Sequence, residues 1–225
     1  MTTRELIERL RPMLTDERWE LLQQKIKLRT SYMTVVAQDT YHAHNASAII
    51  RTCECMGVQN VGIISNYHHF LLSNDIARGA LKWLTIHTYV GEKDNTPAAF
   101  NDLRAKGYRI VATTPHRDAV SPSEFDVEAG PFALVFGSEK RGLNDYALSN
   151  ADSYIRLPMV GFTESLNLSV SVGMVVSRLR ERMMERNIGI GMSADEEERV
   201  LLEWVIGSIR NGNEVVERIK CDFDK

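Results

Sequence analysis

The stretch LPMVGFTESLNLSVSVG, Leu157 to Gly173, reads as a strand end, a loop and the opening of a helix. Pro158 and Gly161 hold a non-helical loop after the short strand SYIRLP (153–158). Ser165 and Asn167 carry short polar side chains suited to capping a helix start. The helix they introduce runs from about Asn167 to Arg186 and is rich in small residues, Ser169, Ser171 and Gly173. By itself the pattern is that of a capped, buried helix. Its loop also offers backbone N–H and C=O groups to a ligand with many polar edges.

Working outward, the same strand–loop–helix order recurs. YMTVVAQ (32–38), VGIIS (61–65), LTIHTYV (84–90), YRIVATT (108–114) and FALVF (132–136) read as strands. Between them, Asn45 reads as the cap of a helix that stops at Gly57, and Thr96 as the cap of one that runs to Lys106, with Gly107 ending it. Several strands are continuous apolar runs, as expected where helices cover both faces of a parallel sheet. The expected class is therefore α/β with a mostly parallel sheet. Residues 3–13 and 15–28 read as two amphipathic helices, and Ser193 with Glu196 as a capping box for a last helical region. NIGIGM (187–192) is the clear linker. The expected organisation is an N-terminal helical extension (1–30), an α/β domain (31–188) and a C-terminal helical extension (189–225).

Composition narrows the function classes. The 225 residues carry a net charge of −3, with 44% hydrophobic and 25% charged residues, which is ordinary for a globular chain. From Ala194 to Lys225 nine acids face five bases, so residues 1–193 are slightly positive and any polyanion site must be a local basic patch. Three cysteines without framework spacing point to free thiols in a reducing compartment. Cys53 and Cys55 point apart on a helix, and His42, His44 and the His68–His69 pair make no metal-ligand pattern, so no metal is expected. The start, MTTRELIERL, has charges where a signal peptide needs an apolar run, and no apolar stretch approaches the roughly 18 residues of a membrane span. A cytoplasmic protein is expected.

Ligands of open α/β sheets sit at the carboxyl ends of strands, so two more loops matter. FGSEKRGL (136–143) follows an apolar strand; Gly137 and Gly142 frame Ser138, Glu139, Lys140 and Arg141. The glycine spacing is that of a phosphate loop, but Leu143 stands where the Lys-Ser/Thr pair belongs, so it is no nucleoside triphosphate site. A charged turn accounts for it equally well. HNASAIIRT (44–52) places Ala46, Ile49, Ile50 and Cys53 on one buried stripe, with Arg51 facing away from it. Alone, such an arginine is an ordinary solvated charge. No G-x-G-x-x-G follows the first strand, which removes the nicotinamide-dependent oxidoreductases, and no G-x-S-x-G elbow is present.

Taken in order, N-x-x-x-I-x-R-T (Asn45 to Thr52), G-S-E-x-x-G-L (Gly137 to Leu143) and I-x-L-P-M-x-G-x-x-x-S-L-N-L-S-V-S (Ile155 to Ser171) are far more specific than any one of them. Together they resemble the SpoU/TrmH family of RNA ribose 2′-O-methyltransferases, of the SPOUT class, over residues 32–186. The short helical ends make the chain most similar to the members that act on the D-loop guanosine of tRNA, position 18. The resemblance implies a trefoil knot at the C-terminal end of the α/β body, a homodimer in which both subunits build each site, and S-adenosylmethionine held by backbone around Thr113, Gly137, Leu157 and Leu166. It implies that Asn45, Arg51, Glu139, Ser165 and Asn167 form the catalytic set. Arg51 would then face outward to meet the ribose, Asn45 would anchor its loop near Glu139, and Ser165 and Asn167 would position cofactor and ribose.

RNA affinity is expected from local charge: Arg4, Arg9, Arg11, Arg18, Lys25, Lys27 and Arg29 in the N-terminal helices, and Lys140 and Arg141 in the glycine-framed loop. The short N-terminal extension favours tRNA over ribosomal RNA as partner. A methyltransferase for ribosomal RNA or another tRNA site is the alternative within the class. A non-catalytic RNA-binding assembly factor is the alternative outside it.

Overall fold

A computed structural model of the chain describes residues 1–40, 42–67, 79–115 and 118–223. The His68–His69 pair lies outside the described residues. The chain divides into two compact units, Thr30–Ile190 and a second built from both ends, Met1–Arg29 with Gly191–Lys225.

The larger unit holds six strands: β1 (Met33–Gln38), β2 (Asn60–Ile64), β3 (Thr85–Tyr89), β4 (Arg109–Thr113), β5 (Phe132–Phe136) and β6 (Ser153–Ile155). They form one sheet in the order β3-β2-β1-β5-β4-β6. Every pairing is parallel. In β1, β2 and β5 every residue is buried, which explains why their sequences are continuous apolar runs without a polar alternation. The two-residue period of a strand still sorts the side chains. Val35, Phe132 and Leu134 enter one core with Ile49 and Cys53 of α3 (Ala43–Cys55) and Val172, Val176 and Leu179 of α6 (Leu168–Glu185). Their neighbours Val36, Ala133 and Val135 enter the other, with Phe100 and Leu103 of α4 (Thr96–Ala105) and Ala147 of α5 (Asp145–Asn150).

Helix starts differ from expectation at two places. α3 begins at Ala43 after His42, so Asn45 lies inside its first turn and is not the cap, and His44 is helical. α4 is preceded by Asn95, and Thr96 is its first residue. The Thr96 hydroxyl is engaged elsewhere: it accepts from Gln38 Nε2 (2.7 Å), Asn144 Nδ2 (3.0 Å) and Asn66 Nδ2 (3.1 Å). α5 has only six residues, too few for a periodic pattern; its signal is the Asn144 cap, whose carboxamide oxygen accepts from Ala147 N at 2.8 Å.

The smaller unit contains α1 (Thr3–Leu10), α2 (Asp16–Ile26), α7 (Ala194–Ser208) and α8 (Gly212–Phe223). Thr2 and Glu5 form a capping box, while Thr15 and Ser193 each accept a backbone N–H. The last helical region is thus two helices. The Arg29 guanidinium lies 5.1 Å over the Trp204 ring, and Lys27 pairs with Glu197. Among the described residues no helix is long and apolar enough to cross a membrane, and no cluster of His, Cys, Asp and Glu could hold a metal ion.

Candidate active site

The sheet order reverses between β1 and β5, where ligands of open α/β folds collect beyond the carboxyl ends of the strands. Three segments leave the sheet beside this point and enclose a cavity of about 460 Å³. They are the end of β4 with Thr114 and Pro115, the turn Gly137–Leu143 after β5, and Arg156 to Leu168 after β6.

The turn after β5 is a closed loop. Ser138 N donates to Gly142 O (3.2 Å) and Gly142 N to Ser138 O (2.8 Å). This closure sets both glycines. Gly142 has φ +66°, a left-handed conformation that side chains disfavour, and a Cβ on Gly137 would stand 2.1 Å from Gly142 C and 2.2 Å from Leu143 N. Beneath the turn, Gln38 Oε1 accepts from Asn144 N at 2.9 Å, which ties the loop to the end of β1. The four charged or polar residues between the glycines are thereby displayed at the cavity from a fixed base.

At the end of β4 the Thr113 hydroxyl donates to Val135 O (3.0 Å), so its side chain is spent on the sheet and what it offers a ligand is backbone. Thr114 N donates to Ile155 O (3.1 Å), joining the first segment to the third. The third segment carries Leu157, Met159, Leu166 and Leu168 as apolar wall and Glu164 and Ser165 as polar wall. A second cavity of about 550 Å³ lies beyond Arg156–Met159, with Glu124 in its lining. Ser121 donates to that carboxylate from its backbone N–H (3.0 Å) and its hydroxyl (2.8 Å), and these bonds hold Glu124 below the usual carboxylate range.

The cavity gathers eight of the residues singled out from sequence: Thr113, Gly137, Leu157 and Leu166, with Glu139, Lys140, Arg141 and Ser165. Asn45 and Asn167 do not line it but meet each other, Asn167 Nδ2 donating to Asn45 Oδ1 at 3.2 Å. Asn167 also caps α6, its oxygen accepting from Ser169 N (2.9 Å) and Ser169 Oγ (2.6 Å). The bond that Asn45 makes to Asn167 ties α3 to the start of α6. Asn45 is 8% exposed and bonded to the α6 cap, whereas Glu139 stands exposed on the turn. Arg51 is exposed on α3 and is absent from the cavity lining.

Arg11, Lys25 and Lys27 belong to the terminal unit. Arg11 pairs with Asp16 and lies 5.3 Å over the Trp19 ring, and Lys27 pairs with Glu197, so two of the three are engaged within their own unit. Lys25 is exposed. Sequence reasoning missed Arg156 and Glu164 in the wall and the Gln38–Thr96–Asn144 support beneath the turn. Glu164 was legible in principle, since it sits inside the third motif. The support was not, because it joins residues distant in the chain.

Comparisons with known proteins show the family of the chain. The family described as the SpoU rRNA methylase family matches residues 32–177. A tRNA (guanosine(18)-2′-O)-methyltransferase of Borreliella burgdorferi is 31% identical over 198 residues, covering 88% of each chain. An enzyme of the same name from Thermus thermophilus is 28% identical, over 85% of this chain and 97% of its own. Among solved structures, the Aquifex aeolicus TrmH/SpoU tRNA modifying enzyme superposes with a TM-score of 0.75 at 27% identity, over 87% of this chain and 98% of that one.

Proposed function

Since the chain belongs to the SpoU rRNA methylase family, we propose that it transfers a methyl group from S-adenosylmethionine to the ribose 2′-oxygen of tRNA guanosine 18. The observation that carries the reading is the single cavity into which the strand-end loops bring Thr113, Gly137, Leu157 and Leu166. The names of the relatives supply the position on tRNA.

The lining fits the cofactor. About 460 Å³ is in the range of small-ligand sites. Leu157, Met159, Leu166 and Leu168 offer an apolar wall for a flat base, strand-end backbone offers donors and acceptors for its edges, and Glu139 and Glu164 suit a cationic ligand. When bound, S-adenosylmethionine supplies an electrophilic methyl group. The residues of the chain then have two tasks. The loops hold the ribose in line, and such placement is worth on the order of 7–11 kcal/mol. Arg51 stabilises the negative charge that develops on the ribose oxygen. Its guanidinium, a group with a pKa above about 12, cannot serve as the base, so the proton passes to a substrate phosphate or to water. Asn167 and Asn45 brace the start of α6 against α3, and Ser165 positions the ribose.

Arg51 does not line the cavity of its own chain, and in this reading a second copy brings it to one. A homodimer is supported by the apolar side chains exposed beside the cavity, Val160 (103%), Phe162 (108%), Val170 and Met174, which a partner would cover. In the same reading the segment Leu157–Gly173 is threaded as the trefoil knot of the class, the functional domain spans 31–188, and Lys25, Lys140 and Arg141 meet phosphate in the cytoplasm. Incubation with methyl-labelled cofactor, total tRNA and ribosomal RNA tests the reading. Label mapped to the ribose of tRNA guanosine 18 supports it; label on ribosomal RNA alone, or none, overturns it.

A further inference from the structure

Tyr67 follows β2 by three residues and is 58% exposed, an unusual degree for a large aromatic side chain. Among the described residues, one face of its ring is occupied. The Arg141 guanidinium lies 4.9 Å from the ring centroid, and Arg141 belongs to the turn that walls the cavity. An aromatic ring with one face on a cation and much of the rest open to solvent, at the rim of an RNA-modifying site, has the form of a nucleobase stacking surface.

The backbone beneath the ring is held at several points. Asp39 is buried and takes a left-handed φ of 52°, a conformation that costs most non-glycine residues energy. That geometry aims its carboxylate at two backbone donors, Asn66 N (2.6 Å) and Tyr67 N (3.0 Å). Asn66 Oδ1 in turn accepts from Asn95 N (2.7 Å), and Asn95 Nδ2 donates to Ser65 O (2.8 Å). These bonds among buried or half-buried groups fix residues 65–67 and so the base of the ring. Arg141 is fixed from below as well, its N–H donating to Ser138 Oγ (3.3 Å).

We propose that Tyr67 and Arg141 together form a one-nucleotide platform at the rim of the cavity, with an unpaired base stacked on the open face of the tyrosine and the adjoining phosphate on the guanidinium. The inference rests on the methyltransferase reading and adds a residue to its substrate side. It places a nucleotide next to the methylated one in the flipped-out, single-stranded form that proteins read by stacking.

Steady-state methylation of a tRNA transcript, with the salt dependence of tRNA binding, tests it. Tyr67→Ala is expected to raise the KM for tRNA about ten-fold, with the cofactor Kd, the melting temperature and the salt slope at wild-type values. Tyr67→Phe is expected to restore KM, because stacking needs the ring and not the hydroxyl. Arg141→Ala is expected to reduce the salt slope by about one. In Tyr67→Trp, the fluorescence added by the new indole is expected to be quenched by tRNA. A wild-type KM in Tyr67→Ala, a Tyr67→Phe as defective as Tyr67→Ala, or an unquenched indole overturns the platform while leaving the methyltransferase reading intact. A wild-type protein that methylates no RNA overturns both.

Discussion

On the side of the site formed by β4, β5 and β6, a ligand would meet strand-end backbone, an apolar wall and the charged residues of a turn so tight that Gly137 has no room for a Cβ. On the side formed by α3, the groups are side chains: Asn45 is folded inward onto Asn167, and Arg51 is turned outward to solvent. The first side, in the proposed reading, is finished within one chain. The second, in the proposed reading, is finished only by something outside it. Backbone loops at strand ends can cradle a cofactor because the sheet fixes them, whereas a cation that must meet a large substrate has to stand clear of its own core.

The largest effect should separate the two sides. Arg51→Ala is expected to lower kcat by about 10²–10³-fold, the usual loss when one charge-stabilising donor is removed, with the cofactor Kd within a few-fold of wild type by calorimetry. Near-normal turnover in this variant would remove Arg51 from the chemistry. Gly137→Ala should do the reverse. A methyl group 2.1 Å from Gly142 C must open the turn, so cofactor affinity should fall by about an order of magnitude or more, with a stability loss of about 1–3 kcal/mol from overpacking. Unchanged cofactor binding would mean that the turn does not shape the cofactor site.

A smaller effect sharpens the seam between the sides. Asn167 caps α6 and also meets Asn45, whereas among the described residues the Asn45 side chain shares only the second contact. Asn167→Ala is therefore expected to cost about 1 kcal/mol as a lost cap, a melting shift of roughly 2–4 °C for a chain of this size. Asn45→Ala should cost less, and thermal melts of the two single variants and the double variant should show the pair as coupled. The smallest effect is electrostatic: Lys140→Ala should lower the salt slope of tRNA binding by about one and leave cofactor binding alone.

The strands were legible because full burial leaves no ambiguity in MTVVAQ or FALVF, and the strand-end loops were legible because strands end in them. Helix starts were less so. A single polar residue near a boundary, Asn45 or Thr96, looks like a cap in sequence, but each is buried and bonded to a distant element. The same obstacle hid the Asp39 brace beneath Tyr67, which joins residues 27 and 28 positions apart. The pairing of both chain ends into one helical unit was equally out of reach, since Lys27–Glu197 and Arg29–Trp204 depend on tertiary packing.

In the proposed reading a complete site takes its cofactor wall from one subunit and its arginine from the other. Mixing two impaired variants, Arg51→Ala and Gly137→Ala, after dissociation and reassembly, at a cofactor concentration well below that which saturates Gly137→Ala, tests it directly, with differently tagged chains to establish that mixed dimers form. Methylation of tRNA is expected to rise above that of either parent in the mixed dimer, where an intact turn from one chain meets an intact Arg51 from its partner. Mixed dimers no more active than the parent variants under the same conditions would contradict it.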